Sequence, residues 1–489
     1  MNMRRLLLIV ASAWLLMIQP MTALAQQPYR HPLNVGLTKV LGDLNPHYSR
    51  ELIVSHGIGE NLYREGNEAV PVSRFIKEAH QQDDHQWELI LQEGVKFSNG
   101  EVVTAQDLEA CLSAQAPTTA FSFQALDSKR LEVTTPEPVA NIADVLAVPH
   151  LLVYKQKDDA FIYTGPFQVT DYQPRNSVFL APNTYYPQAE KRQDVHLYAI
   201  QDDLVLRREF ESFDLDMIFP VSVTLKDQLD QEVFVTRPLE THRQYFLLVN
   251  QSSEIMGQAD LRRALNLALD REEFRQALRG GHLPTGLFPT GSDYAGKEEF
   301  VSDPYEASKI LDRVGWTLNR QGYRQKDGQV LTLSVTHSDN NRELEMLGQV
   351  LMSQLTKLGI AVDYQFIGQS QVDPEDTSAD LVLESIHTLP LGQPEYFLNK
   401  YFAKTGVLSS YGYANDQIDD QLKALRMEGD SQKRQQIIQD IQIKVMGDLP
   451  LLPLLESQWH IATSERLGNY DPLPGDGVII DERFGLRKD

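Results

Sequence analysis

The chain has 489 residues, a formal charge of −23 and a single cysteine, Cys111. So large an excess of acids excludes a nucleic-acid partner, because the phosphate backbone requires a basic surface. One cysteine excludes an internal disulfide, so hydrophobic cores must hold the fold, and the length allows two or three of them.

Arg4 and Arg5, the apolar run Leu6 to Ile18 and the small residues Ala23 and Ala25 before Gln26 read as a secretory signal peptide, residues 1–25. The run is too short to span a bilayer comfortably, and no later stretch approaches a membrane helix in length. The expected address is a Gram-negative periplasm. Loss of the leader removes two arginines and no acid, which takes the charge from −23 to −25. Acidity of this size serves solubility; a preference for cationic ligands is the sharper alternative.

His31 to Thr38 reads as a strand, broken at Leu44-Asn45-Pro46-His47-Tyr48, and Ser49 to Tyr63 as a helix with Ile53, Ile58 and Leu62 on one face. Trp87 to Gln92 is a strand, Asn99-Gly100 a tight turn, and Thr104 with Asp107 a variant capping box that opens a helix. Strands follow at Arg130–Thr135, Thr164–Thr170, Ser177–Ala181 and Val195–Ile200, then a helix over Leu204–Phe213. Tyr245 to Asn250 is a short apolar strand, and Asp260 to Phe274 an amphipathic helix that Asp260 can cap. This strand and helix, about halfway along, read as a crossing between two domains. Beyond it, helices at Pro304–Val314, Glu343–Leu358, Asp416–Arg426 and Ser431–Gly447 alternate with strands at Val330–Thr336, Ile360–Phe366 and Asp380–Glu384, the pattern of a parallel α/β sheet.

Catalytic patterns are missing. There is no His-Glu-x-x-His, no Gly-x-Ser-x-Gly and no phosphate-binding Gly-x-x-x-x-Gly-Lys-Ser/Thr. Cys111 shares a helix face with Leu108 and Leu112 and reads as core rather than nucleophile. His80-Gln-Gln-Asp-Asp-His85 has metal-binding residue types, but it reads first as a solvated loop before a strand. The chain is therefore expected to be no enzyme and to carry no cofactor or resident metal.

Six landmarks in order resemble the family 5 extracellular solute-binding proteins of ABC importers, the dipeptide, oligopeptide and nickel group. They are Leu44-Asn-Pro-His47, the run Trp87 to Asp107, Thr164-Gly-Pro-Phe167 with Leu180 to Tyr186, Asp260 to Arg271, Ala307 to Trp316, and Asp448-Leu-Pro-Leu-Leu-Pro453. The resemblance implies an α/β, two-lobed periplasmic binding protein of the large three-subdomain form, with a hinge and a central cleft. The first lobe would take residues 26–252 and 463–489, with a subdomain near 64–155, and the second lobe 253–462. Crossings are expected near Asn250–Gln258 and Glu456–Ser464. The implied function is capture of a small peptide, or alternatively of nickel or another metal chelate, by a monomer that hands it to an inner-membrane permease. A secreted enzyme on the same shell is the competing class.

The ligand strand departs from the family. Dipeptide binders carry a Trp-x-Gly-Asp type of run after the strand matching Asp380–Glu384, and its Asp meets the ligand's amino terminus. Here the run is Ser385-Ile-His-Thr-Leu-Pro-Leu-Gly-Gln-Pro394. Aromatics and a later histidine, as in nickel binders, are also missing from the matching places. Glu384 is a candidate partner for an amino terminus, and His387 for a carboxylate or a metal chelate. Tyr48, Tyr245, Tyr396 and Tyr411 are candidate aromatic walls. Each has an ordinary alternative: a strand-end acid, a loop histidine, or packing.

Overall fold

The computed structural model describes residues 31–66, 70–115, 121–230, 236–337, 341–366, 378–468, 470–473 and 477–486. The leader lies outside these. Among the described residues ten strands form one mixed sheet. In chain order they are β1 (Leu33–Leu37), β2 (Phe167–Gln173), β3 (Ser177–Pro182), β4 (Val195–Ala199), β5 (Met217–Phe219), β6 (Arg237–Val249), β7 (Thr332–His337), β8 (Ala361–Phe366), β9 (Leu381–His387) and β10 (Leu451–Thr463). Their spatial order is β2-β3-β4-β1-β5-β10-β6-β9-β7-β8. Strands β6 and β10 are each 13 residues long and pair antiparallel, from Arg237 opposite Ile461 to Leu248 opposite Leu451. These two strands connect the lobes.

The alternation of side chains along β6 shows where one lobe ends. Leu239 packs in the first core, with Leu33, Val195 and Ile461. Tyr245, Leu247 and Val249 pack in a second core, with Leu261, Leu333 and Leu452. Phe246 and Leu248 point the opposite way into a third, with Phe397, Leu408 and Ile441. Both faces of the strand are covered, so its sequence is a continuous apolar run rather than an alternating one. The ladder slips between Glu240 and Gln244, where the Thr241 hydroxyl donates to Ser457 O at 2.9 Å and accepts from Arg243 N at 3.1 Å. The change of core along this strand therefore falls between Leu239 and Tyr245, beside the bulge at Thr241–Arg243.

Local chemistry moves other boundaries. Asn45 caps a helix that begins at Pro46, its side chain accepting from His47 N at 2.9 Å, so Asn-Pro starts the helix Pro46–Ser55 rather than breaking the chain. Gly57, at φ +67, ends it before Ile58 and Leu62. The expected helix 260–274 is two helices, Ala259–Ala268 and Arg271–Leu278, with Asp270 capping the second through Glu272 N at 3.0 Å. Arg271 is buried at the joint, donates to Pro453 O at 2.9 Å, and has its pKa lowered to about 9 by burial. Gly165 is required by a close crossing: a Cβ there would lie 2.4 Å from Gly57 O.

The first lobe carries a four-stranded sheet of Ile76–Gln81, Gln86–Leu91, Arg130–Thr134 and Ser122–Ala125, with helix Ala105–Gln115 beside it. Leu89, Leu108 and Leu131 there belong to the same continuous core as Leu33 and Val195. His80 and His85 flank its hairpin turn; Asp83 Oδ1 accepts from His85 N and Gln86 N at 2.8 Å each. Cys111 is buried, and burial pushes its thiol up to about 12. No described helix is long and apolar enough to cross a membrane.

Candidate functional site

The lobes meet along the segment His387 to Tyr396 that follows β9. Helix Pro394–Phe402 belongs to the second lobe through Phe397, Leu398 and Phe402, yet Tyr396 on it packs against the first core. The Tyr396 ring lies 6.0 Å from the ring of His150, which ends the first-lobe segment 141–150. Arg50, on helix Pro46–Ser55, is half-buried; burial lowers its pKa, while the Tyr154 and Tyr396 hydroxyls oppose that shift. The Arg50 charge and burial together hold His150 down to about 4, with burial the larger cause, so its imidazole is neutral at ordinary pH.

Arg50 Nε and His150 Nε2 are both buried with no hydrogen-bond partner in the protein. Leaving a buried polar group unmade costs about 1–3 kcal/mol each, more for a charged one. Two such atoms on residues that neighbour the same tyrosine fit a site built for a ligand that supplies the missing hydrogen-bond partners.

The facing wall comes from β9 and β6. Glu384 stands opposite Phe246 and accepts the Tyr401 hydroxyl at 3.2 Å. Burial raises its pKa, opposed by Lys400, the Tyr401 hydrogen bond and Arg243. Tyr401 shares a helix with Tyr396, which sets the Glu384–Tyr401 pair near the place where Tyr396, Arg50 and His150 come together. His387 stands opposite Arg243, and its ring stacks on His242 with centroids 6.1 Å apart. His242 is held by Leu389 O at 3.0 Å and lies 3.7 Å from Glu65 across the lobe boundary. Among the described residues no three His, Cys, Asp or Glu side chains cluster in a way that would hold a metal ion.

The structure thus places Tyr396 against the first core, His387 beside His242 and Arg243, and Glu384 on the same strand among second-lobe side chains. It places the other three tyrosines elsewhere. Tyr48 is 80 % exposed on the first turn of its helix. Tyr245 is 1 % exposed and bonded through its hydroxyl to Glu343 and Ser457. Tyr411 caps the short helix Val407–Ser410, and its carbonyl accepts from Gln251 N at 2.7 Å, beyond the far end of β6. Arg50, His150, Tyr154 and Arg243 were not singled out in the sequence. The one signal for Arg50 was its place four residues before Val54 on a helix face that turns inward.

A cavity of about 300 Å³ continues from this face; its lining includes Val54, one helical turn beyond Arg50, and Leu391, from the loop before Tyr396. Its charged groups are largely paired: Arg74 makes two hydrogen bonds of 3.0 Å and one of 2.5 Å to Glu60, which also accepts the Tyr186 hydroxyl at 3.0 Å. Asn61 Oδ1, also in the lining, is buried without a partner.

Residues 71–409 match the family model for bacterial extracellular solute-binding proteins, family 5 Middle. The chain is 24 % identical to the nickel-binding protein NikA of Staphylococcus aureus over 471 residues, 93 % of this chain and 94 % of that protein. It superposes on the crystal structure of that NikA in complex with Ni(L-His)2 with a TM-score of 0.79 at 22 % identity, covering 93 % of this chain and all of the other. The oligopeptide-binding protein AppA of Bacillus subtilis, solved with a nonapeptide, superposes with a TM-score of 0.75 at 18 % identity over 94 % of this chain and 99 % of the other. With its two lobes joined by paired long strands and a polar cluster between them, this chain belongs to the family 5 bacterial extracellular solute-binding proteins.

Proposed function

We propose that this protein is the periplasmic capture component of an ABC importer, a monomer that binds a short peptide between its lobes and delivers it, unchanged, to a membrane permease. The observation that carries the ligand class is the unmade Arg50 Nε donor, with the unpartnered His150 Nε2 beside it and the Glu384 carboxyl on the adjoining strand. A peptide has one carboxylate and one ammonium end. Arg50 suits the first and Glu384 the second, and each charge-assisted hydrogen bond is worth about 1.5–3 kcal/mol. A ligand shifts the lobes toward closure only through its tighter contact with the closed form, which contacts from both lobes provide. We place the working limit between the lobes at Thr241–Arg243 and Glu456–Ser457.

A second reading has its own observation. His150 is held neutral, and His242 and His387 stack beside Arg243. Imidazoles next to arginines suit a metal chelated by an amino acid, whose carboxylates the arginines would hold.

A thermal-shift screen of di- to pentapeptides and of nickel with free histidine separates these readings, with mass spectrometry of the ligand released by heat. Stabilisation by peptides recovered intact is the expected result. Stabilisation by nickel with histidine alone would reverse the order of the two readings, and recovery of cleaved peptide would overturn both.

A further inference from the structure

The lobes are tied together at a second place, which the ligand cluster does not use. Arg434, on helix Ser431–Asp448, lies 2.5 Å from Glu395 Oε1 in its own lobe and 3.2 Å from Asp144 Oδ2 in the other. All three side chains are nearly buried, at 11 %, 8 % and 12 % exposure. The guanidinium is fixed from behind, because its Nη1 donates to Leu425 O at 3.0 Å and Glu428 O at 3.1 Å. Asp144 is fixed from its side by the Asn141 amide at 2.9 Å. Beside the triad, Ala140 N donates to Arg426 O at 2.9 Å, a backbone hydrogen bond from one lobe to the other.

The placement of these groups links them to the candidate site. Glu395 and Tyr396 are neighbours on one helix. Asp144 and His150 lie on one first-lobe segment. The first of each pair meets in the triad, and the second of each pair meets ring to ring. Movement of helix Pro394–Phe402 that breaks one contact therefore breaks the other.

We propose that Asp144, Arg434 and Glu395 form a closure latch, which holds the lobes together before ligand arrives and positions Tyr396 against Arg50 and His150. Arg434 and Asp144 are positioning residues, since neither belongs to the cluster that offers unmade hydrogen bonds. The latch biases the closed form by a fixed amount, so an occupant need supply only the remainder. Its effect on affinity rests on the inter-lobe site proposed above, but the three latch residues contact one another and no residue of that site's unpartnered pair. A surface ion pair would not do this. A buried one can, because the attraction between Arg434 and Asp144 is little screened there and is the part of the triad that spans the lobes, while Glu395 keeps the guanidinium neutralised within its own lobe.

Small-angle X-ray scattering of the ligand-free full chain tests the latch without reference to what the protein binds. Asp144→Asn removes the cross-lobe charge, and its radius of gyration should shift to a larger value while circular dichroism stays that of the parent. Asp144→Glu should restore the compact value. Glu395→Gln, which removes only the partner within the second lobe, should stay compact. An Asp144→Asn chain that is folded and as compact as the parent overturns the proposal, and so does equal expansion in Glu395→Gln. If Asp144→Asn does not fold, Arg434→Gln read against Glu395→Gln gives the same contrast. A failed ligand screen alongside an expanded Asp144→Asn chain would sink the functional reading and leave the latch standing.

Discussion

Arg50 is the residue on which the site depends most. Its half-buried guanidinium keeps one buried donor unmade in the protein alone. Arg50→Ala should weaken ligand binding by about 10- to 100-fold, the worth of one charge-assisted hydrogen bond, while the melting temperature of the ligand-free chain holds or rises. A titration that finds unchanged affinity would remove Arg50 from the site. Two other buried groups make the protein's stability depend on pH in opposite directions. His56 is fully buried with neither ring nitrogen partnered, and burial lowers its pKa to about 3 from 6.5. The unfolded chain takes the proton first, so this histidine costs stability as pH falls below 6.5, by about 2 kcal/mol at pH 5. In denaturant titrations His56→Leu should lose correspondingly less stability than the parent between pH 8 and pH 5. Glu395 behaves the other way. Burial pushes its pKa up, to about 7, against Arg434 and Arg426, with Asp144 adding to the rise and Tyr294 nearby. The folded form holds the proton between 4.5 and 7, so the acid's cost appears as pH rises through that window. Glu395→Gln should be more stable than the parent above pH 7 and lose that advantage near pH 5; a pH-independent difference would show that Glu395 is ionised throughout.

At the scale of elements, the paired strands β6 and β10 carry the crossing, and Tyr245 is their fastening. Its hydroxyl bonds Glu343, whose carboxyl is pushed up by burial, and lies 3.4 Å from Ser457 on the partner strand. Tyr245→Phe leaves that acid without its donor and should destabilise the chain by about 1–3 kcal/mol in chemical unfolding; a change under a few tenths would mean that water replaces the hydroxyl. The apolar run Tyr245 to Val249 was legible as a buried strand, since burial on both faces writes an unbroken run. Its other half was not, because Arg237 to Gln244 mixes proline, charges and polar residues that serve a bulge and a lobe boundary. The helix after it was legible as amphipathic, but the break at Leu269-Asp270 was hidden because Asp270 caps without interrupting the apolar spacing. Glu384, His387 and Tyr396 were legible as a place of departure from the family pattern, and the last of them packs against the first core. Arg50 and His150 were not. Their shared partner Tyr396 comes from more than 200 residues away in sequence, and no local spacing encodes which surface of one lobe the other will face.

At the scale of the molecule, two lobes share one ten-stranded sheet, and three kinds of contact cross between them: the long strands, the candidate ligand cluster and the ion-pair triad. The strands are permanent, and the other two can open. A protein built in this way can admit a solute, close on it and release it without making or breaking a covalent bond. The central claim is that the solute sits between the lobes on Arg50, His150 and Glu384. Its most direct test is calorimetric titration of the best ligand from the thermal screen into the parent, Arg50→Ala and Tyr48→Ala. The account predicts one bound ligand per chain, a loss of affinity of about tenfold or more in Arg50→Ala, and parental affinity in Tyr48→Ala. Equal affinity in all three chains would contradict it.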